Sequence, residues 1–291
     1  MQTAESLQKK IKTTQDLLSI VKTMKSLAAV NIRQFEGAVN ALDEHKRIVN
    51  MGWKMLFQRQ QSIVSVRSNH QKICLILGSD QGMCGQFNER MLEFLRQQEN
   101  KWRYQPADIL YWSVGERIRS GLLNDARSID EHFDLPGSPA GIHNLVQQLL
   151  QTLESYQRSR GVETFYILFN HIKSSVAFEP TALRLLPLDE SWVGYVTSQP
   201  QTGRCIPRLG LPWETLFRHL FSQYIFVSFY CSLAQSLASE NAARFQSMQA
   251  AEKNILEMTD NLQQKFRETR QNNITSELLD IVSGFEAMRN P

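Results

Sequence analysis

The chain has 291 residues, 42% of them hydrophobic and 21% charged, with a formal net charge of +3. That apolar content is enough to bury a core, and so small a charge gives no ground for nucleic-acid binding. The four cysteines (Cys74, Cys84, Cys205, Cys231) and six histidines (His45, His70, His132, His143, His171, His219) have no metal-ligand or redox spacing, so reduced structural thiols and ordinary packing are expected.

At the N-terminus apolar or small residues recur in steps of four and three: Leu7, Ile11, Thr14, Leu18, Val21, then Ala28, Ile32, Phe35, Val39 and Leu42. This is a heptad seam, and only Lys25 interrupts it. Because the heptads begin almost at once, no charged-then-apolar signal segment precedes Leu7, and secretion is not expected. Residues 1–58 are therefore read as one long helix.

The middle of the chain changes period. Lys72–Ser79 (KICLILGS), Ala107–Gly115 (ADILYWSVG) and Glu163–Ile172 (ETFYILFNHI) are near-continuous apolar runs, as expected of strands buried on both faces of a parallel sheet. Helical patterns lie between them at Gln86–Lys101, Glu116–Asn124 and Ala140–Arg160, the last with Ile142, Val146, Leu149, Leu153 and Tyr156 on one face. Strand alternating with helix predicts a Rossmann-like α/β domain over residues 70–195. Turn formers from Thr197 to Pro212 then lead back to helix.

From Trp213 to Ser283 there is neither glycine nor proline. At about 1.5 Å per residue a helix of that length would reach roughly 100 Å, too long to fold within a compact domain. Its most apolar part, Leu220–Ala234, is shorter than the roughly 20 residues of a membrane span and carries Gln223; no repeat of 20 to 50 residues is present. A partner helix is the remaining answer. The run has its own seam at Ala234, Leu237, Asn241, Met248, Ala251, Ile255, Met258, Leu262 and Phe266. Residues 213–285 are expected to wind antiparallel on residues 1–58, because neither amphipathic helix is stable alone in water. The fold class is thus α/β, with a long antiparallel coiled coil of the terminal helices and the α/β domain inserted between them.

Chemistry is sparse. Gly78–Gly85 (GSDQGMCG) is a glycine-rich strand-to-helix turn of the type that cradles phosphate, but it lacks the Gly-Lys-Ser/Thr of a phosphate loop and the spacing G-x-G-x-x-G. A tight turn is expected, with Asp80 bonding backbone amides and with Gly82 and Gly85 at its bends. Cys84, near a helix start, could have a lowered pKa. A nucleotide-binding enzyme using this turn, and a coiled-coil scaffold outside any larger machine, stay open on these residues alone.

Four separated blocks carry a more specific signal. They are Ile11–Gln15 with Ile20–Ala29 (IVKTMKSLAA); Ser79–Asn88 (SDQGMCGQFN); Phe178–Thr181 leading to Leu185–Leu188; and Leu237–Met248 (LASENAARFQSM) with Thr269–Gly284 (TRQNNITSELLDIVSG). In this order they resemble the gamma subunit of F-type ATP synthases, the rotary central shaft. The resemblance implies a non-catalytic subunit with no cofactor. It implies as partners the alpha and beta subunits of a catalytic ring, an epsilon subunit and a membrane rotor ring of c subunits, and a peripheral place at the cytoplasmic face of a bacterial inner membrane. By motif, Met24, Lys25, Arg244, Arg270, Gln271, Thr275 and Glu277 match positions that meet a beta subunit. Lys25, outside the apolar register, is expected to point outward, because an unpaired buried charge is costly. Departures from the family pattern are Gln81 in place of an arginine, Gln86 in place of a glycine, and Val30–Gln34 in place of an alanine-rich basic stretch; they suggest a divergent bacterial member.

Overall fold

The computed structural model describes residues 3–59, 71–102, 108–162, 164–174, 177–198 and 210–289. His70, Cys205 and the part of the turn-rich segment from 199 to 209 fall outside them. The chain divides into two compact units, Met1–Leu27 with Phe245–Pro291, and Ala28–Arg244. Helix α1 (Ala4–Arg59) and helix α6 (Trp213–Arg289) each contribute to both.

Within the larger unit lies a five-stranded sheet. Its strands are β1 (Lys72–Leu77), β2 (Ile109–Val114), β3 (Ile129–Phe133), β4 (Thr164–Ser174) and β5 (Ala177–Leu186). They lie in the order β3-β2-β1-β4-β5, parallel except for the antiparallel pair β4–β5. The three expected strands are β1, β2 and β4. The two edge strands were not legible in the sequence. The side chains of β3 from Ile129 to His132 are only half-buried, so it has no apolar run; β5 carries Pro180, which an edge tolerates because one side of the strand needs no N–H donor.

Alternation along the central strands explains why they read as continuously apolar. Ile73, Leu75, Leu77, Leu110, Trp112 and Val114 face one way, packing on α4 (Pro139–Arg160) through Ile142, Val146 and Leu149, and on α1 and α6. Cys74, Ile76, Ile109 and Tyr111 face the other way, against Met91 and Leu95 of α2 (Phe87–Trp102) and Ile118 and Leu122 of α3 (Glu116–Asn124). Helix α4 starts with Pro139 in its first turn and stops at Gly161 in the left-handed conformation, the expected start and stop residues. A short helix, α5 (Glu190–Ser198), precedes α6.

In the same unit α1 and α6 run antiparallel. Asn31 donates to Asn241 at 3.2 Å and His45 meets Gln223 at 3.1 Å. Near the end of α1, Trp53 is fully buried, stacked on Phe57 and edge-on to Trp192, Phe217 and Tyr224.

The smaller unit is a helix pair alone. On α1 the expected seam residues Leu7 and Thr14 are buried and Ile11, Leu18 and Val21 half-buried, with almost everything between them exposed. On α6 the seam runs through Met248, Glu252, Ile255, Thr259, Leu262, Phe266 and Thr269. One expected position is corrected: Met258 is 54% exposed and Thr259 is buried. Steps of three and four in either order satisfy a heptad, and apolarity favoured methionine. Threonine can take the inner position because its hydroxyl donates to the Ile255 carbonyl at 2.8 Å. Thr14 does the same to Lys10 O.

Candidate functional site

In an open α/β sheet the crevice for ligands lies beyond the C-terminal ends of the strands, where the strand order reverses. Here that point is between β1 and β4, and the glycine-rich turn leaves β1 directly into it. The turn is held by its neighbours. Ser79 N–H donates to Asn88 Oδ1 at 3.1 Å and Asn88 Nδ2 donates to Ser79 Oγ at 2.9 Å. Gly85 is left-handed (φ 61), and Gly82 sits against the Arg117 guanidinium. Gly115, at the end of β2, has φ 100 and lies so near the Ser79 backbone that a Cβ would come within 2.9 Å of it; only glycine fits there.

Asp80 bonds a backbone amide as expected, though one outside its own turn: its Oδ1 accepts the Glu116 N–H at 3.0 Å, capping α3, where Gly115 has no side chain to do so. One expectation for this turn is corrected. The Cys84 thiol is pushed up rather than down, because burial outweighs the hydrogen bond from Ser79.

The crevice is filled by the chain itself. Ser239 of α6 donates to the carbonyl of Asn170, on β4 just past the end of β1, at 2.9 Å, and Ala243 packs on Cys84 and Phe87. From Ser236 to Ala243 every residue of α6 is buried. The space left is a cavity of ≈ 200 Å³ lined by Asn31, Asp80, Gln81, Glu240, Asn241 and Arg244 among others. Small-molecule sites occupy about 300–1,000 Å³, and the space left beside this turn is smaller.

Of the residues matched by motif, Arg244 is half-buried, its side chain 14% exposed, and it donates to Glu240 Oε1 at 2.6 Å. Burial pushes the Glu240 carboxyl up to about 7 against the opposing pull of Arg244, with Asp80 adding to the rise. Lys25 occupies a seam position facing α6, ion-paired with Glu252 within the smaller unit, at 29% and 18% side-chain exposure. The expectation that it points outward is corrected: the cost that argued against burial applies to an unpaired charge, and Glu252 pairs it. Met24 beside it is half-buried. Arg270, Gln271, Thr275 and Glu277 are all exposed, and with them every described side chain from Arg270 to Gly284. Sequence reading missed Glu240 and Glu252. The signal for the first was present, a carboxylate four residues before Arg244 in a run of small residues.

These features define a class, a stalk-type subunit in which an inserted α/β body is carried on paired terminal helices, with α6 occupying the crevice beyond β1 and β4. The model of the family described as ATP synthase matches residues 3–288, and the chain belongs to that family as a gamma-type subunit, the central rotor stalk of the F-type enzyme. The ATP synthase gamma chain of Polynucleobacter necessarius is 25% identical over 99% of this chain and 100% of its own length, and that of Geobacter metallireducens matches to the same extent. A chain of the Euglena gracilis mitochondrial ATP synthase (OSCP/F1/c-ring, rotational state 3) superposes with a TM-score of 0.69 at 17% identity, covering 98% of this chain and 94% of that one.

Proposed function

We propose that the chain is the non-catalytic shaft that turns inside a ring of alpha and beta subunits and couples ion flow through a membrane sector to ATP synthesis or hydrolysis on the beta subunits. The observation that carries this reading is the end of α6. Ile274, Leu278, Leu279, Ile281 and Val282 are 49–66% exposed, interleaved with Arg270, Gln271, Thr275 and Glu277 on the same helix faces. A run of exposed apolar side chains marks an interaction surface. A second stripe on α1, Leu17, Ile20 and Leu27 at 49–59% exposure, lies at helical spacing with Met24 and offers a further docking line. Surfaces that contact successive beta subunits unequally would bias their conformations, which is the only way a non-catalytic partner can shift such an equilibrium.

Lys25 and Arg244 enter the proposal differently, since each is held by a carboxylate of its own unit and would have to exchange that partner to meet the ring. The sheet-bearing body, with its turn of Asp80, Gly82 and Gly85, is proposed to seat on an epsilon subunit and a ring of c subunits. Among the described residues no helix is long and apolar enough to cross a membrane, which suits a peripheral place, proposed here as the cytoplasmic face of a bacterial inner membrane.

The test is co-expression with the alpha and beta subunits of the same source, purification through a tag on this chain, and measurement of subunit stoichiometry and ATPase activity. A ring of three alpha and three beta subunits around one copy is expected. Arg270→Ala with Glu277→Ala should reduce assembly or coupled activity while leaving the helical content of the isolated chain unchanged. Unchanged assembly and activity in that variant would remove these residues from the contact.

A further inference from the structure

The cavity at the β1–β4 crevice contains a carboxylate that the stalk function does not use. Glu240 is 4% exposed. Its Oε1 accepts from Arg244, but Oε2 meets no hydrogen-bond donor among the described residues, nor does Arg244 Nε meet an acceptor. A buried carboxylate with one oxygen unpartnered is costly, and the usual response is to hold a proton.

The charged groups around it are few. From α6 comes Arg244. The turn after β1 supplies Asp80 and Gln81, and beside them the un-ionised Cys84 thiol. Helix α1 contributes Asn31 and Phe35, and the segment between β3 and α4 contributes Leu135, Pro136 and Gly137. Among the described residues, Asp80 is thus the only other anionic side chain lining the cavity. With Glu240 and Asp80 both ionised, one guanidinium faces two carboxylates. Adding one proton balances the charge.

We propose that Glu240 is a proton-binding site, and that its occupancy transfers Arg244 from the carboxylate of its own helix to Asp80 on the turn after β1. In the deprotonated state Arg244 closes an i,i+4 pair within α6 and the turn is held to α6 by packing alone. Protonation turns Glu240 into a neutral acid and frees the guanidinium. The remaining anion in the cavity is Asp80, which already caps α3 through its Oδ1. An Arg244–Asp80 pair would then tie α6 to both the turn and the start of α3, across the crevice.

The working range lies near neutrality, since burial raises the Glu240 carboxyl from its ordinary 4.5 to about 7. The folded chain therefore holds a proton that the unfolded chain has released over that interval. Its stabilising contribution is full below about pH 4.5 and is lost as pH rises through about 7.

Arg244 is also among the residues proposed to meet the ring, but the proton site needs no ring subunit and is tested on the full chain alone. Glutamate Cδ and arginine Nε resonances would be followed by NMR from about pH 5 to about pH 9, well above the ordinary carboxylate range. One glutamate carbon is expected to titrate near neutrality, and to be missing from Glu240→Gln. The Arg244 Nε–H signal should move with the same midpoint. Asp80→Asn removes a like charge and should lower that midpoint by roughly half a pH unit or more, while abolishing the Arg244 response that the transfer produces. No glutamate titrating above about pH 6, or a neutral titration that survives in Glu240→Gln, would overturn the site. An Arg244 signal indifferent to the titration would overturn the transfer. Should Glu240→Gln fail to fold, an unmoved midpoint in Asp80→Asn decides against the proposal.

Discussion

Helix α6 is built in two ways, and the contrast separates what holds the chain together from what it presents to others. In the larger unit its stretch from Ser232 to Ala243 is buried at every position but Gln235. The residues there are mostly Ala, Ser, Leu and Asn, small enough to let the helix press against the ends of β1 and β4 and against α1. In the smaller unit, from Ile255 to Thr269, only every third or fourth residue is shielded, and from Arg270 to Gly284 no described side chain is. A helix buried all round belongs to a core, whereas one with a single apolar stripe needs one partner, and one whose apolar side chains face solvent needs a partner from outside.

The sharpest way to break this comparison is to cut into the core. Phe229 is fully buried, edge-on to Phe165 at 5.5 Å. Phe229→Ala should cost about 3–5 kcal/mol, the range for truncating a buried aromatic. A urea denaturation of the full chain followed by tryptophan fluorescence reads the larger unit selectively, because the five tryptophans, Trp53, Trp102, Trp112, Trp192 and Trp213, all belong to it. A loss below about 1 kcal/mol, the level of a surface change, would mean this part of α6 is not core.

The Lys25–Glu252 pair tests the seam. With both side chains largely but incompletely shielded, its loss falls between the 0–1 kcal/mol of an open pair and the 3–5 of a closed one, so Lys25→Ala should cost about 1–2 kcal/mol. The difference should shrink at high salt, which screens a half-open ion pair, whereas the Phe229→Ala deficit should not. Thermal unfolding followed by helical circular dichroism at low and high salt checks both statements. A salt-independent deficit would show that Lys25 acts through packing of its alkyl stem instead.

How far the sequence could reveal this depended on whether a residue's role follows from its own period. Heptads along α1, the three central strands and the three helices between them are repeated patterns, and each was legible. Strands β3 and β5 were not, because edge strands are half-exposed and carry polar residues or proline without harm. The polar cavity failed for another reason. Glu240, Asp80 and Asn31 lie on three elements far apart in the chain, and each alone reads as an ordinary surface residue. What brings them together is the insertion of α6 into the crevice, a tertiary event with no local pattern. The outward placement expected of Lys25 failed in the same way, since its partner Glu252 is supplied by the other end of the chain. By contrast the exposed end of α6 was legible only through resemblance; its residues alone would pass for a solvated helix face.

That end of the helix also gives the finest test. Leu278 is 58% exposed, and its side chain has little packing to lose. Leu278→Glu should therefore change the stability of the isolated chain by no more than about 0.5 kcal/mol in either direction. The same substitution places a charge in the surface proposed to be covered by the ring, where it would lose hydration without gaining a partner. Recovery of alpha and beta subunits with the tagged chain should fall accordingly. The two measurements separate the possible meanings of exposure. A stability loss beyond that limit would mean Leu278 is covered within the chain. An unaltered chain with an unaltered complex would mean the exposed apolar residues lie outside the contact, and that Arg270, Gln271, Thr275 and Glu277 would have to hold the ring without them.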